Sequence, residues 1–148
     1  MRALIQRVTE AYVIIGEQRH AEVGEGLVIL VGITAEDTEQ DALWLVRKIL
    51  QMRLFTDDEG KMNKSILDVQ GKLLVVSQFT LYASTKKGNR PSFINAAKPA
   101  RAVPLYEFFL KACNDLVETR SGVFGADMKV SLVNDGPVTI WLDSKHRE

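Results

Sequence analysis

Cysteine, histidine and long apolar runs are scarce in this chain of 148 residues, and each scarcity removes a class of explanation. A single cysteine, Cys113, excludes an internal disulfide framework and fits a reducing compartment. Cys113 lies mid-helix beside apolar residues, where a buried structural thiol is expected, since a reactive thiolate needs a cationic and accessible setting. No apolar run is long enough to span a bilayer. The opening "MRALIQRVTEAYVII" alternates from Leu4 onward and lacks the continuous apolar core of a leader, so a cytoplasmic protein is expected. The two histidines fall in a turn (His20) and in the tail (His146), and nothing places a partner for general-base work beside either. There is no G-x-S-x-G elbow, no P-loop and no Cys/His spacing for a metal. "TDDEGKMN" resembles an ion loop, but with Gly60 at the sixth position of an EF-hand the first and twelfth ligands would be Phe55 and Ile66, which cannot bind calcium. Neither metal nor cofactor is expected, and any hydrolysis must proceed without the common protein nucleophiles and bases.

Acidic residues are also missing locally. From Val69 to Tyr106 there is no Asp or Glu, while Lys72, Lys86, Lys87, Arg90, Lys98 and Arg101 give the segment a charge of +6 and leave −6 for the rest of a neutral chain. Such segregation suggests a local anion site; the competing explanation is a solvated loop that carries some lysines.

What is present reads as one α+β domain spanning residues 1–148, with a core of ordinary size for that length. Residues Ala3–Thr9 and Tyr12–Ile15 alternate as strands, and "GEQRHAE" reads as a turn region. "GLVILVGI" and Lys72–Ser77 are buried strands. "TAEDTEQDALWLVRKILQMRLF" is helical, capped by Thr34, Asp37 or Thr38. A second helix is expected over Ala102–Arg120, with Leu116 inward and Gly122 as its C-cap. Met128–Val133 and Val138–Leu142 close the chain as two strands. The expected architecture is a curved, mostly antiparallel, barrel-like sheet with two main helices packed on it.

Two stretches stand out as carriers of chemistry. "VVSQFTLYASTKKGNRPSF" leads a buried strand into a polar, aromatic and then basic segment. Ser77, Gln78 and Thr80 offer hydrogen bonds at a strand end, Phe79 and Tyr82 could stack on a base, and Lys86, Lys87 and Arg90 could meet phosphates. An ordinary strand and turn would have the same composition. The second stretch, "VNDGPVTIW", sets Gly136-Pro137 between two strand-like segments, where proline would break a ladder; a hairpin turn is the plain explanation.

"SQFTLY", "KGNRPSF", "FGADM" and "NDGPVT", in this order, resemble the D-aminoacyl-tRNA deacylases. "MRALIQRV", "GKMNKS" and "LVVSQFTL" extend the resemblance to nearly the full length. It implies a homodimer that hydrolyses the ester joining a D-amino acid to the terminal adenosine of tRNA and that also removes glycine. It implies that Ser77, Gln78, Phe79 and Thr80 line the reaction pocket of one subunit, and that Gly136 and Pro137, joined by a cis peptide bond, enter the pocket of the other. Arg7 matches the arginine supporting that motif, Phe124 and Met128 match pocket-lining positions, and Thr139 falls in the same selective set. The terminal ribose 2′-hydroxyl is implied to assist, which agrees with the missing protein base. The expected partners are the aminoacylated 3′ end of tRNA and a second copy of the chain, with neither membrane nor DNA.

On this reading two fixed backbone carbonyls hold the substrate ammonium, and an L side chain would run into backbone while a D side chain points away. The oxyanion is assigned to N–H groups around Phe79 and Thr80. Two rivals stand beside it. One is an acyl-ester hydrolase on the same scaffold with Thr80 as nucleophile. The other is a non-catalytic RNA-binding module that uses the basic segment.

Overall fold

The computed structural model describes residues 1–147. The chain opens as a long hairpin: β1 (Arg2–Ile15) turns into β2 (Gln18–Val23), and β3 (Gly26–Gly32) follows after a short break. One register runs from Arg2↔Gly32 to Val13↔Ala21, so β2 and β3 lie end to end along the same edge of β1. The expected turn region "GEQRHAE" is therefore mostly strand. Most of the β2 side chains are solvent-exposed and polar, so the apolar alternation that marks a half-buried strand is missing.

The other parts build on this hairpin. α1 (Glu39–Gln51) and a small hairpin of β4 (Phe55–Thr56) and β5 (Met62–Lys64) lead to β6 (Lys72–Ser77), which pairs with β3 in parallel. A 3-10 turn (Phe79–Tyr82) and α2 (Pro99–Asn114) lead to β7 (Thr119–Ser121), parallel to β6. Each main helix is thus the crossover that a parallel pair requires. β8 (Met128–Asp143) then runs antiparallel along the free edge of β1, from Ile15↔Met128 to Arg2↔Asp143. The sheet curls into a nearly closed, barrel-like form in a single α+β domain. It is antiparallel around β1, and the β3–β6–β7 side is parallel.

Both faces of the sheet are covered. Ala3, Ile5, Leu27, Ile29, Leu73 and Val75 pack against Leu45, Ile49, Leu105 and Phe109 of the helices. Val8, Ala11, Val13, Val28, Leu74 and Val76 meet inside the curl. β3 and β6 are buried on both sides, which is why they read as continuous apolar runs. Cys113 is fully buried on α2, and burial pushes its thiol up to about 12, as an inert structural cysteine requires. No helix among the described residues is long and apolar enough to cross a membrane.

Both helices end earlier than expected, while Thr38 is the cap of α1, one of the three expected. α1 begins after Thr38 and stops at Gln51: Met52 is extended, and Leu54 and Phe55 turn into the core. α2 starts at Pro99, where the fixed φ of proline suits the first helical position, and ends at Asn114. Leu116, expected inward, is exposed, and Gly122 is no C-cap because Thr119–Ser121 forms β7 beside β6. The two expected final strands are one continuous β8, so Gly136-Pro137 is not a hairpin turn.

The N-terminus of α1 is tied to the end of the chain. The buried carboxylate of Asp41 accepts hydrogen bonds from the Thr38 backbone N–H (2.9 Å), the Thr38 hydroxyl (2.9 Å) and Lys145 Nζ (2.8 Å). Burial pushes this carboxyl up, but the Lys145 and Thr38 donors outweigh it and hold it well below the usual carboxylate range. A folded-state pKa below the unfolded value means stabilisation that is complete above the unfolded pKa of about 4 and lost as pH falls through the folded value. Asp41→Asn is expected to lower stability by about 1–3 kcal/mol at neutral pH and to show a shallower loss below about pH 4 than wild type. Denaturant melts at a series of pH values check this, and parallel acid limbs for the two proteins would refute it.

Candidate active site

A cavity of about 280 Å³ opens where β6 ends. Its wall is Val76, Ser77, Gln78 and Phe79 on one side and the loop Phe124–Met128 on the other. Ser77 is the last residue paired to β3, and the Gln78 N–H donates to the Val31 carbonyl at 2.7 Å before the chain winds into the 3-10 turn. That turn sits on Gly32, where a Cβ would lie 3.1 Å from the Gln78 carbonyl and 3.1 Å from Leu81 Cβ. Its far end is held by Arg2, whose guanidinium donates to the Leu81 carbonyl (2.8 Å), lies over the Tyr82 ring (4.3 Å) and pairs with Asp143 (2.9 Å). Opposite, the Phe124 ring packs against Tyr106 at 5.7 Å, and the Tyr106 hydroxyl donates to the Val75 carbonyl. Both walls are thus anchored to the core.

The turn has donors to offer. The first N–H groups of a helix lack intrahelical acceptors, and those of Phe79 and Thr80 have no acceptor among the described residues. The Thr80 side chain is exposed, and its hydroxyl accepts a hydrogen bond from Gln78 Nε2. A carboxamide cannot take up a proton, so the hydrogen-bond partner of Thr80 among the described residues does not activate it as a nucleophile.

The basic residues lie beside this turn. Ser84 and Ser92 exchange two backbone hydrogen bonds (2.8 and 2.9 Å), closing a loop that carries Lys86, Lys87 and Arg90 into solvent. Phe93 packs edge-on against Phe79 with centroids 5.0 Å apart, so loop and turn are joined. Among the described residues these three cations have no ion pair, whereas Lys72 pairs with Glu118 and Arg101 donates to the Asp37 carbonyl. The chain presents unspent positive charge next to the cavity.

Gly136, Pro137, Thr139 and Arg7 do not line this cavity. Met128 lies at its edge, and Gly136 is eight residues further along β8, roughly 25 Å along an extended strand. Here the ladder with β1 opens: Gln6 pairs with Thr139 and Val8 with Asn134, so Asp135–Val138 stand opposite Arg7 alone. Gly136 and Pro137, joined by a cis peptide bond, sit exposed at the crest. Arg7 lies beneath, only 8% exposed. Its guanidinium donates to the Leu54 carbonyl, and Nε stands 2.9 Å from Asp135 Oδ2 at an angle that makes an ion pair but no hydrogen bond.

Sequence reasoning thus named two groups of residues that fold apart. Ser77, Gln78, Phe79, Phe124 and Met128 come together, with Thr80 alongside; Gly136, Pro137, Thr139 and Arg7 form a second constellation. It missed Asn134, whose side chain bridges the open ladder, and Asp127 at the cavity edge. Both lie inside quoted motifs, but a lone amide or acid has no spacing that reveals its partner.

Residues 4–143 match the family model described as D-Tyr-tRNA(Tyr) deacylase. Over the full length of both chains, the sequence is 60% identical to a D-aminoacyl-tRNA deacylase of Akkermansia muciniphila and 55% identical to one of Cytophaga hutchinsonii. Among solved structures, a c-Myc DNA unwinding element binding protein superposes with a TM-score of 0.92 at 42% identity, covering 97% of this chain and 98% of its own. A probable eukaryotic D-amino acid tRNA deacylase superposes at 0.80 with 17% identity, covering 95% and 97%, and shares the fold.

The crest of the bulge leaves no space for a side chain. Gly136 has φ +112°, and a Cβ there would stand 2.8 Å from Val138 Cγ2 and 3.0 Å from Arg7 Nη2. Gly136→Ala is expected to cost about 1–3 kcal/mol of stability from the backbone conformation and the crowding together. Thermal and denaturant melts measure it, and a variant as stable as wild type would show that the bulge relaxes freely.

Proposed function

Because the chain belongs to the D-aminoacyl-tRNA deacylase family, a family of ester hydrolases, we propose that its cavity receives the aminoacyl group of a D-aminoacyl-tRNA while Gly136–Pro137 of a partner subunit closes over it. The observation that carries this reading is the separation of two complementary halves. One is a cavity beside N–H donors that have no acceptor among the described residues; the other is an exposed, braced backbone crest that cannot reach its own cavity. A two-fold dimer brings each crest to the other subunit's cavity and makes two equal sites.

In the assembled site the ester carbonyl lies against the Phe79 and Thr80 N–H groups, which stabilise the oxyanion as it develops. The ribose 2′-hydroxyl of the terminal adenosine assists the attack. Carbonyl oxygens at the crest accept the substrate ammonium. With ammonium and ester both held, the directions of the other two α-carbon substituents are fixed. An L side chain then meets backbone, a D side chain is directed out, and glycine has nothing to exclude. Discrimination by backbone accepts many D side chains, because none is read. Lys86, Lys87 and Arg90 receive phosphates of the acceptor end, giving salt-dependent binding. A tRNA substrate places the protein in the cytoplasm. The rival with Thr80 as nucleophile is disfavoured because, among the described residues, that hydroxyl's hydrogen-bond partner is the Gln78 amide.

The deciding experiment follows ester loss from matched D-, L- and glycyl-tRNA. D and glycyl esters should be hydrolysed, and the L ester should be slower by several decades, at about 1.36 kcal/mol per tenfold. Equal rates on D and L esters would sink this reading. The composite site has its own check. Phe79→Ala damages the cavity and Gly136→Ala damages the crest, so each homodimer should be impaired at both sites. Co-expressed mixtures should recover activity, because a heterodimer holds one intact pairing; no recovery, or a fully active monomer in sedimentation, would exclude a shared site.

A further inference from the structure

The segment "NDGPVT" contains an amide to which the functional reading assigns nothing: Asn134. It is half-buried, and its carboxamide makes every hydrogen bond an amide can make. Nδ2 donates to the carbonyls of Arg7 (2.9 Å) and Val138 (3.0 Å). Oδ1 accepts from Gln6 Nε2 (3.2 Å) and from the Thr139 hydroxyl (3.2 Å). The two backbone partners can only accept, so the amide is fixed in this orientation. Its nitrogen side joins β1 to the residue that follows Pro137, and so closes the open stretch of ladder from both ends.

The oxygen side governs a single proton. Thr139 Oγ1 stands 3.2 Å from Asn134 Oδ1 and 3.5 Å from the Pro137 carbonyl, and one hydroxyl proton serves only one of them. Gln6 Nε2 donates to the same hydroxyl at 3.3 Å, so the proton must point elsewhere. The shorter approach, to Asn134, takes it. We propose that Asn134 is a positioning residue of the deacylation: it closes the bulge and, by holding the Thr139 hydroxyl proton, leaves the Pro137 carbonyl free to accept the substrate ammonium. This rests on the reading that the crest receives that ammonium.

Without Asn134 the Thr139 hydroxyl turns to the Pro137 carbonyl and competes with the substrate. Asn134→Ala should therefore lower kcat/KM on D-tyrosyl-tRNA by about tenfold or more, the scale of one lost hydrogen bond, and more through KM than through kcat. The Asn134→Ala/Thr139→Val double variant should recover part of that loss, because no hydroxyl remains to occupy the carbonyl. A role confined to bracing the fold predicts that the double variant is no better than the single one. Where Asn134→Ala does not fold, Asn134→Leu alone and with Thr139→Val repeats the comparison, since leucine fills the space of the amide without an acceptor for the Thr139 hydroxyl. Wild-type kcat/KM in Asn134→Ala, or a double variant no faster than its parent, overturns the proposal. A wild-type protein that fails to distinguish D- from L-tyrosyl-tRNA defeats the functional reading instead, and is seen before any variant is made.

Discussion

The pairing of β8 with β1 is the constraint on which this molecule turns. β8 must stay on the ladder for fourteen residues of β1, yet leave it opposite Arg7 to place Gly136 and Pro137 in solvent. A free excursion of that kind would be mobile, and a mobile carbonyl is a poor acceptor for a specific ligand, because ordering it on binding costs entropy. Here the ladder resumes on both sides, so the ends of the excursion are fixed, and a buried guanidinium fills the space beneath it. A buried guanidinium requires partners. It finds them in the Leu54 carbonyl and Asp135, which couples the crest to the chain following α1.

The same economy governs the cavity. Its N–H groups without acceptors among the described residues exist because a strand ends and a short helical turn begins, at the level where the β3 partner also ends at Gly32. Arg2 links the two halves of the design: it holds the 3-10 turn through Leu81 and Tyr82 and the end of β8 through Asp143. The cavity wall and the strand carrying the crest are therefore parts of one rigid frame. Chemistry done by backbone groups needs such a frame, since a peptide group has no rotamer with which to correct a misplacement.

How much of this could be read from the sequence depended on the side chains each element buries. β3 and β6 were legible because burial on both faces makes them continuous apolar runs. β2 was not, because its ladder is made by backbone while its side chains face water. The end of α2 was overestimated because Leu116 keeps the helical spacing that Val117 and β7 then abandon. The cavity residues Ser77–Phe79, Phe124 and Met128 were named through long motifs, and they do converge. Composition alone left them indistinguishable from strand and turn. Asn134 escaped notice because its partners are two carbonyls and two side chains from β1 and β8, a relation that exists only once the register is set.

The one feature that did announce itself was a violation. Proline inside a strand-like run contradicts local propensity, and a glycine before it weakens the strand further. Local and global preferences normally agree in natural sequences, so a conflict that the fold goes out of its way to support points to function. The support is visible in what surrounds the conflict: a buried arginine, an ion pair, and an amide with all four of its hydrogen bonds made, all gathered around two residues that contribute nothing to the core. A turn would have needed none of them. The alternating apolar pattern resumes at Val138, Ile140 and Leu142, which return to the main core, so the sequence re-enters the ordinary grammar of a strand as soon as the crest has been presented.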